Sequence, residues 1–215
     1  FGVSENNFLG RGIEFSSDVS VSAENLKGLI SLNNPNYRGS SRSLNASIES
    51  TVTDRLKNFG YKSNKTGFSI GSGFEFYDDL YWNTGISSYV EKLDADNTAS
   101  ASMKKQEGSY FDTFFNQTFV YDKRNQKHMT SDGYISRFTQ NVPLISDSYS
   151  LTNTYSYKIY NEWLDENVFS IGFFGQATNS LNSKNVKLSD RLYLPSSKLR
   201  GFESGKVGPK DGADY

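Results

Sequence analysis

Catalysis by a protein side chain needs a nucleophile, a base or a metal cage, and this 215-residue sequence offers few of them. It has no cysteine, which removes disulfides, thiolate zinc sites and thiol nucleophiles together. Its one histidine, His128, stands in "DKRNQKHMTSDG", a segment that reads as a turn, where a solvated histidine is far commoner than a catalytic base. No G-x-S-x-G elbow occurs, and "GFESG" at Gly201 to Gly205 misplaces the serine. The acidic pairs Asp78/Asp79, Asp94/Asp96 and Asp165/Glu166 fall in expected turns, where Asp serves local hydrogen bonding. Asp94 to Asn97 begins like a calcium loop but has Ala99 where that loop needs glycine, with no bidentate Glu to follow. The triplets at Asn45, Asn64 and Asn116 match a glycosylation acceptor, a pattern short enough for chance. No catalytic, cofactor-binding or metal-binding residue is assigned.

What remains is a cation in an unexpected place. "YLPSSKLRGFESGKVGPKDG", Tyr193 to Gly212, sets Arg200 and Phe202 on either side of Gly201 in a stretch with almost no core-forming pattern. Arginine presents five donors in a rigid planar fork and stays charged, so inside a water-filled enclosure it can pair with carboxylates and stack on a ring. Gly201 lets the backbone turn sharply or approach a wall, and Phe202 adds an apolar anchor. On these residues alone, the competing reading is a surface arginine in a mobile loop, whose ion pairs are worth little.

The elements that must position such a loop are strands. In Phe68 to Phe76, Phe68, Ile70, Ser72, Phe74 and Phe76 share one face while Ser69, Gly71, Gly73 and Glu75 share the other. The same split runs through Ile13 to Ser22, Leu44 to Glu49, Leu80 to Ser87 and Phe169 to Phe174. Further strands are expected at Leu26 to Asn33, Tyr110 to Tyr121, Gly133 to Val142 and Ser148 to Tyr160, about ten with the opening fragment. Helical patterning is almost absent. Connections alternate in length, short at Asn7 to Gly12, Tyr77 to Asp79 and Leu164 to Asn167, and long at Asp54 to Lys65, Asp94 to Glu107 and from about Asn179 onward.

An up-and-down meander with short turns at one end and long loops at the other is the pattern of an outer-membrane barrel. A soluble sandwich also alternates. Three features favour the membrane. The strands reach the nine to eleven residues that a tilted strand needs to cross a bilayer. Their polar faces carry Ser, Asn, Thr and Gly rather than Lys and Glu. Phe8, Tyr37, Phe76, Tyr77, Tyr81, Trp82, Tyr121 and Trp163 gather near turns, as an interfacial girdle does. Apolar residues are only 35% of the chain while aromatics are 15%, so little remains for a conventional core. The net charge of −1, without a basic stripe, argues against a nucleic-acid partner.

Three stretches resemble one family. Leu199, Arg200, Gly201 and Phe202 match the Val/Leu/Ile-Arg-Gly-Phe/Tyr tetrad in the sixth extracellular loop of BamA-type outer-membrane assembly factors, and Val207, Gly208 and Pro209 match its trailing Ile/Val-Gly-Pro. "SENNFLGRG" and "SLNNPNYRGSSRSL" are similar to early turns of that barrel, so the resemblance runs in order along the chain. Pro195 and Ser196 stand where the family has Gly-Gly, and "DKRNQKHMTSDG" lacks the proline of the matching turn. The resemblance implies an all-β, partial, transmembrane antiparallel barrel, about ten strands of a sixteen-stranded one. It implies that residues 1–215 are the N-terminal part of the barrel domain, beginning within the second strand and ending in a lumen-inserted sixth loop at about 179–215, without the seam where a lateral gate opens. It implies an integral protein of the Gram-negative outer membrane, not an enzyme and without cofactor. Such a protein folds and inserts unfolded outer-membrane clients, and meets accessory lipoproteins through regions outside this chain. A two-partner-secretion or translocation-assembly transporter of the same superfamily, and a passive porin-like channel, stand as alternatives.

Overall fold

The computed structural model describes residues 1–56, 60–164, 167–182, 185–192, 201, 202 and 207. Ten strands follow one another: β1 (Gly2–Phe8), β2 (Ile13–Val21), β3 (Asn25–Asn34), β4 (Ser43–Arg55), β5 (Tyr61–Tyr77), β6 (Leu80–Ala95), β7 (Gly108–Asp122), β8 (Gly133–Ser146), β9 (Ser150–Leu164) and β10 (Asn167–Ser180). Each pairs antiparallel with its sequence neighbours, forming one meandering sheet with β1 and β10 at its edges. No helix among the described residues is long and apolar enough to cross a membrane, which says nothing of crossing by strands.

Register keeps the two faces apart across the sheet. Ile48 opposes Phe68, Ile70 opposes Ile86 and Ile86 opposes Phe115, while Ser47 opposes Ser69 and Ser69 opposes Ser87. A slip of one residue would exchange the faces, so this alignment is what the alternation specifies. The apolar face is uncovered: Ile48, Ile70 and Ile171 are 61%, 54% and 57% exposed. A soluble sandwich would bury these side chains, and the buried hydrophobic cluster of the described residues instead comprises Tyr61, Leu93, Ala99, Met103 and Leu188, on the other side of the sheet. On the polar face, hydroxyl pairs such as Ser16 with Ser31 and Ser47 with Ser69, each at 2.8 Å, bridge neighbouring strands.

The apolar face also carries polar side chains, and they pair with one another, as Ser88 does with Thr113 at 2.9 Å. Gln117 donates to Gln140 at 2.9 Å and Gln140 donates to Asn153 at 2.8 Å, so these amides satisfy one another across three strands, as they must away from water. The aromatics gather at one end of this face. Trp82 packs against Phe74, Phe76 and Phe119 at centroid distances of 5.6, 6.1 and 5.8 Å, and Tyr134 bridges Tyr121 and Tyr157. Tyr81 is an exception to the expected girdle, since it alternates with Trp82 and opposes Glu75 and Val120 on the polar face.

Connection lengths depart from the sequence reading. β5 and β6 run 17 and 16 residues, beyond what a crossing needs, and β4 continues to Arg55, leaving only residues 56–60 between β4 and β5. Residues Lys62 to Thr66 are all polar, so this part of β5 carries no hydrophobic period to read. Residues 147–149 make a tight turn at the long-loop end, with Tyr149 at φ +48, whereas residues 123–132 form a longer connection at the short-turn end. There Asn125 Oδ1 accepts from the backbone of Gln126, Ser131 and Asp132, and His128 is exposed, as expected of a surface histidine. One helical turn, α1 (Ala101–Lys104), lies between β6 and β7, N-capped by Ser100, and it is too short to show a helical period.

Ile70→Lys places a charge at the middle of the apolar face and is expected to destabilise the membrane-embedded barrel by about 2–4 kcal/mol. Denaturant titration in lipid vesicles checks this, and a variant as stable as the parent would contradict the lipid-facing assignment.

Candidate functional site

Long polar-face extensions of β5 to β7 create a wall above the crossing segments, and the chain after β10 folds back on it. Leu181 donates its backbone N–H to Tyr149 at 2.9 Å, and residues 188–190 form a 3-10 turn against the wall. Leu188 is completely buried with Leu93 and Met103. That places the α1 connection and the segment after β10 in one small apolar plug, each such Leu side chain contributing about 1.5–3 kcal/mol by burial. The Leu188 backbone amide donates to the Gln106 side-chain Oε1 at 2.9 Å, tying the two connections together.

Beside Leu188, Lys187 is only 3% exposed. Its ammonium lies 2.7 Å from Glu91 Oε2 on β6 and 2.7 Å from Asp112 Oδ2 on β7. Tyr110 presents its ring 5.0 Å from the same nitrogen. The carboxylates are held in turn: Ser189 Oγ donates to Glu91 Oε2 at 2.9 Å, and Ser146 and Ser148 donate to Asp112 Oδ1. A buried cation would be costly alone, and here two carboxylates and a ring compensate it.

Asp190 makes a third carboxylate, 3.8 Å from Lys187 and behind the closer pair. Burial opposes the Lys187 charge, but the surrounding carboxylates of Asp190, Glu91 and Asp112 outweigh it and raise its pKa above the ordinary lysine value. Burial raises the Asp190 pKa too, despite the opposing pull of Lys187, because that ammonium is already engaged by nearer partners. Asp190 Oδ2 and Ser150 Oγ are buried and line a cavity of about 160 Å³ with Lys65, Asn116 and Asn141. The arrangement clamps a chain segment by charge and shape. Among the described residues no three His, Cys, Asp or Glu side chains are arranged to hold a metal ion.

A family model, the Omp85 superfamily domain, matches residues 7–215. The chain belongs to the Omp85 superfamily. Solved structures similar to this Omp85 chain include BamA from Haemophilus ducreyi lacking POTRA domains 1-3, with a TM-score of 0.83 at 20% identity over 97% of this chain. At that identity the likeness carries the fold, a BamA-type partial barrel. The Omp85 chain spans 43% of that structure's chain. Comparison with curated protein sequences gave no match. The Omp85 assignment makes this an integral β-barrel segment of the Gram-negative outer membrane, in a superfamily of outer-membrane protein insertion and transport.

Of the sequence motif, Leu199, Arg200, Gly208 and Pro209 lie outside the described residues. Gly201 has φ +86, a left-handed conformation suited to glycine, while Phe202 and Val207 are 59% and 46% exposed. The sequence reading missed Lys187. Its signal was indirect: Glu91 and Asp112 are acids on mostly uncharged strand faces, which calls for a cation from elsewhere in the chain.

Lys187→Met leaves Glu91 and Asp112 buried without their cation and is expected to weaken docking by about 3–5 kcal/mol. Hydrogen exchange at Leu188 should then quicken by roughly two to four powers of ten; unchanged exchange would contradict the clamp.

The pH dependence has a defined sign. The raised Lys187 value makes its contribution complete below about pH 10.4, the unfolded lysine value, and lost as pH rises through the folded one. The raised Asp190 value makes docking tighten as pH falls through it, with the gain complete below about pH 3.9. Protease sensitivity of residues 185–192 should therefore rise above pH 10.4, and Asp190→Asn should flatten its mildly acidic dependence; a profile unaffected by Asp190→Asn would count against the assignment.

Proposed function

We propose that this chain is the N-terminal part of the barrel domain of an outer-membrane assembly factor that folds and inserts other outer-membrane proteins, without enzymatic chemistry. Residues from about 179 to 215 form its sixth loop, tucked into the lumen. The observation that carries this reading is the segment after β10 docking on the polar wall through Lys187 and Leu188. Arg200 provides a second attachment further along the same loop, pairing with lumenal carboxylates, with Gly201 and Phe202 shaping its approach and Val207, Gly208 and Pro209 supporting it. The partners are the lipid bilayer, unfolded outer-membrane clients and accessory lipoproteins that bind regions beyond this chain.

Physical reasoning links the barrel to its task. A strand entering hydrocarbon must have its backbone groups paired, and a barrel with a weakly paired seam supplies an edge for that pairing. An inward loop clamped at its base keeps the lumen occupied while the wall moves.

Replacing the resident gene with full-length Arg200→Ala or Lys187→Met should lower insertion of newly made porins, read as loss of their heat-modifiable folded band. Normal porin insertion by both variants would overturn the proposal. Loss of one secreted partner protein with porin levels intact would favour the transporter reading, and a large, steady single-channel conductance of the intact barrel would favour a porin.

A further inference from the structure

At the opposite end of the polar face from Lys187, two cations lie without a carboxylate partner among the described residues. Arg137 on β8 opposes Ser156, and Ile135 opposes Lys158 on β9, so Arg137 and Lys158 are diagonal neighbours on one face, about 7–8 Å apart along the sheet. Neither forms an ion pair among the described residues, although Lys27, Arg55 and Lys187 on the same side each have one. The nearest acid on that face is Asp122, opposite Ile135, and both its oxygens are taken by the Arg124 guanidinium, at 2.7 Å each. Lys158 instead rests its ammonium 4.6 Å from the Tyr160 ring. Two like charges side by side repel. Their field is therefore available to a ligand.

The two cations border a recess of about 590 Å³ lined by Ile135, Ser156, Gly172 and Phe174. Ile135 and Phe174 put apolar surface beside the two cations, and Gly172 adds no side chain between them. Charge above and apolar surface below fit a ligand that is anionic at one point and apolar beside it. A membrane headgroup is unsuited, because this is the face turned from lipid. Two cations are also too few to track a phosphate backbone.

We propose that this recess binds a carboxylate carried next to an apolar side chain on an extended polypeptide entering the lumen from the short-turn end. Under the function proposed above, on which this rests, that polypeptide is a client. The recess holds it electrostatically and reversibly before strand pairing begins.

The test uses the full-length protein in lipid nanodiscs with Ser156→p-benzoylphenylalanine as a photo-cross-linker. Three probes are compared: acetyl-Gly-Ser-Gly-Asp-Phe-amide, the same peptide with Asn for Asp, and that Asn peptide with a free C-terminal carboxylate. Labelling by the carboxylate probes should exceed the neutral one at least tenfold. R137Q/K158Q should reduce it to the neutral level while the heat-modifiable folded band is kept. Raising salt from 0.15 to 0.5 M should weaken labelling in the parent, which keeps the proposal testable if the double variant does not fold. Labelling by the Asp probe alone assigns side-chain carboxylates, and by the free terminus alone assigns chain ends; either supports the proposal. Equal labelling by the neutral probe, no effect of salt, or a cross-link only to the protein's own chain would overturn it. Client insertion is measured separately: normal insertion with no peptide labelling sinks the recess alone, and carboxylate-selective labelling with no insertion sinks the assembly function alone.

Discussion

A strand in hydrocarbon has no water to satisfy its amides, so every N–H and C=O must find another strand, and the side chains must divide between lipid and an aqueous interior. The remaining structure follows from that constraint. It explains why Ile70 meets Ile86 on one face while Ser69 meets Ser87 on the other, and why the apolar side chains are left exposed. The Gln117, Gln140 and Asn153 row obeys the same rule with side-chain amides, which become tolerable on the lipid side by bonding to one another.

The polar face is a place where charge can be placed to hold things. At the long-loop end, Glu91 and Asp112 project from adjacent strands and are answered by Lys187 from about a hundred and about seventy-five residues further on respectively, as the register and sequence positions require. That contact and the Leu188 plug are long-range, and they join the wall, the α1 connection and the inward segment into one unit. Toward the other end, Arg137 and Lys158 have no such answer within the described residues. Among the described residues the two ends of the polar face are thus charged differently, with the Lys187 ion pairs at one and two cations without a carboxylate at the other.

Much of this was legible in the residues. Alternation at Phe68 to Phe76 and Leu80 to Ser87 located the two-faced strands because a period of two survives wherever one face meets lipid. Strand ends were less legible: Lys62 to Thr66 is polar on both faces, since above the membrane neither face meets hydrocarbon, so β5 is longer than its pattern reveals. The motif around Arg200 pointed to a loop folded inward, but the contact that pins its base rests on Lys187, in a segment with no apolar period and with partners two hairpins away. A lone lysine carries no local sign of such a partner. The unanswered acids at Glu91 and Asp112 were the readable half of that pair.

Because the chain has no cysteine, single cysteines can be introduced one at a time from position 67 to 76 in the full-length protein and spin-labelled without background. Power-saturation measurements in lipid vesicles, comparing oxygen with a water-soluble nickel relaxant, read out which side chains meet lipid and which meet water. A two-residue alternation is predicted, with positions 68, 70 and 74 favouring oxygen and 69, 71 and 73 favouring nickel. Accessibility that varies smoothly, or low accessibility to both relaxants at 68 and 70, would contradict a sheet with one face in lipid and the other around an aqueous lumen.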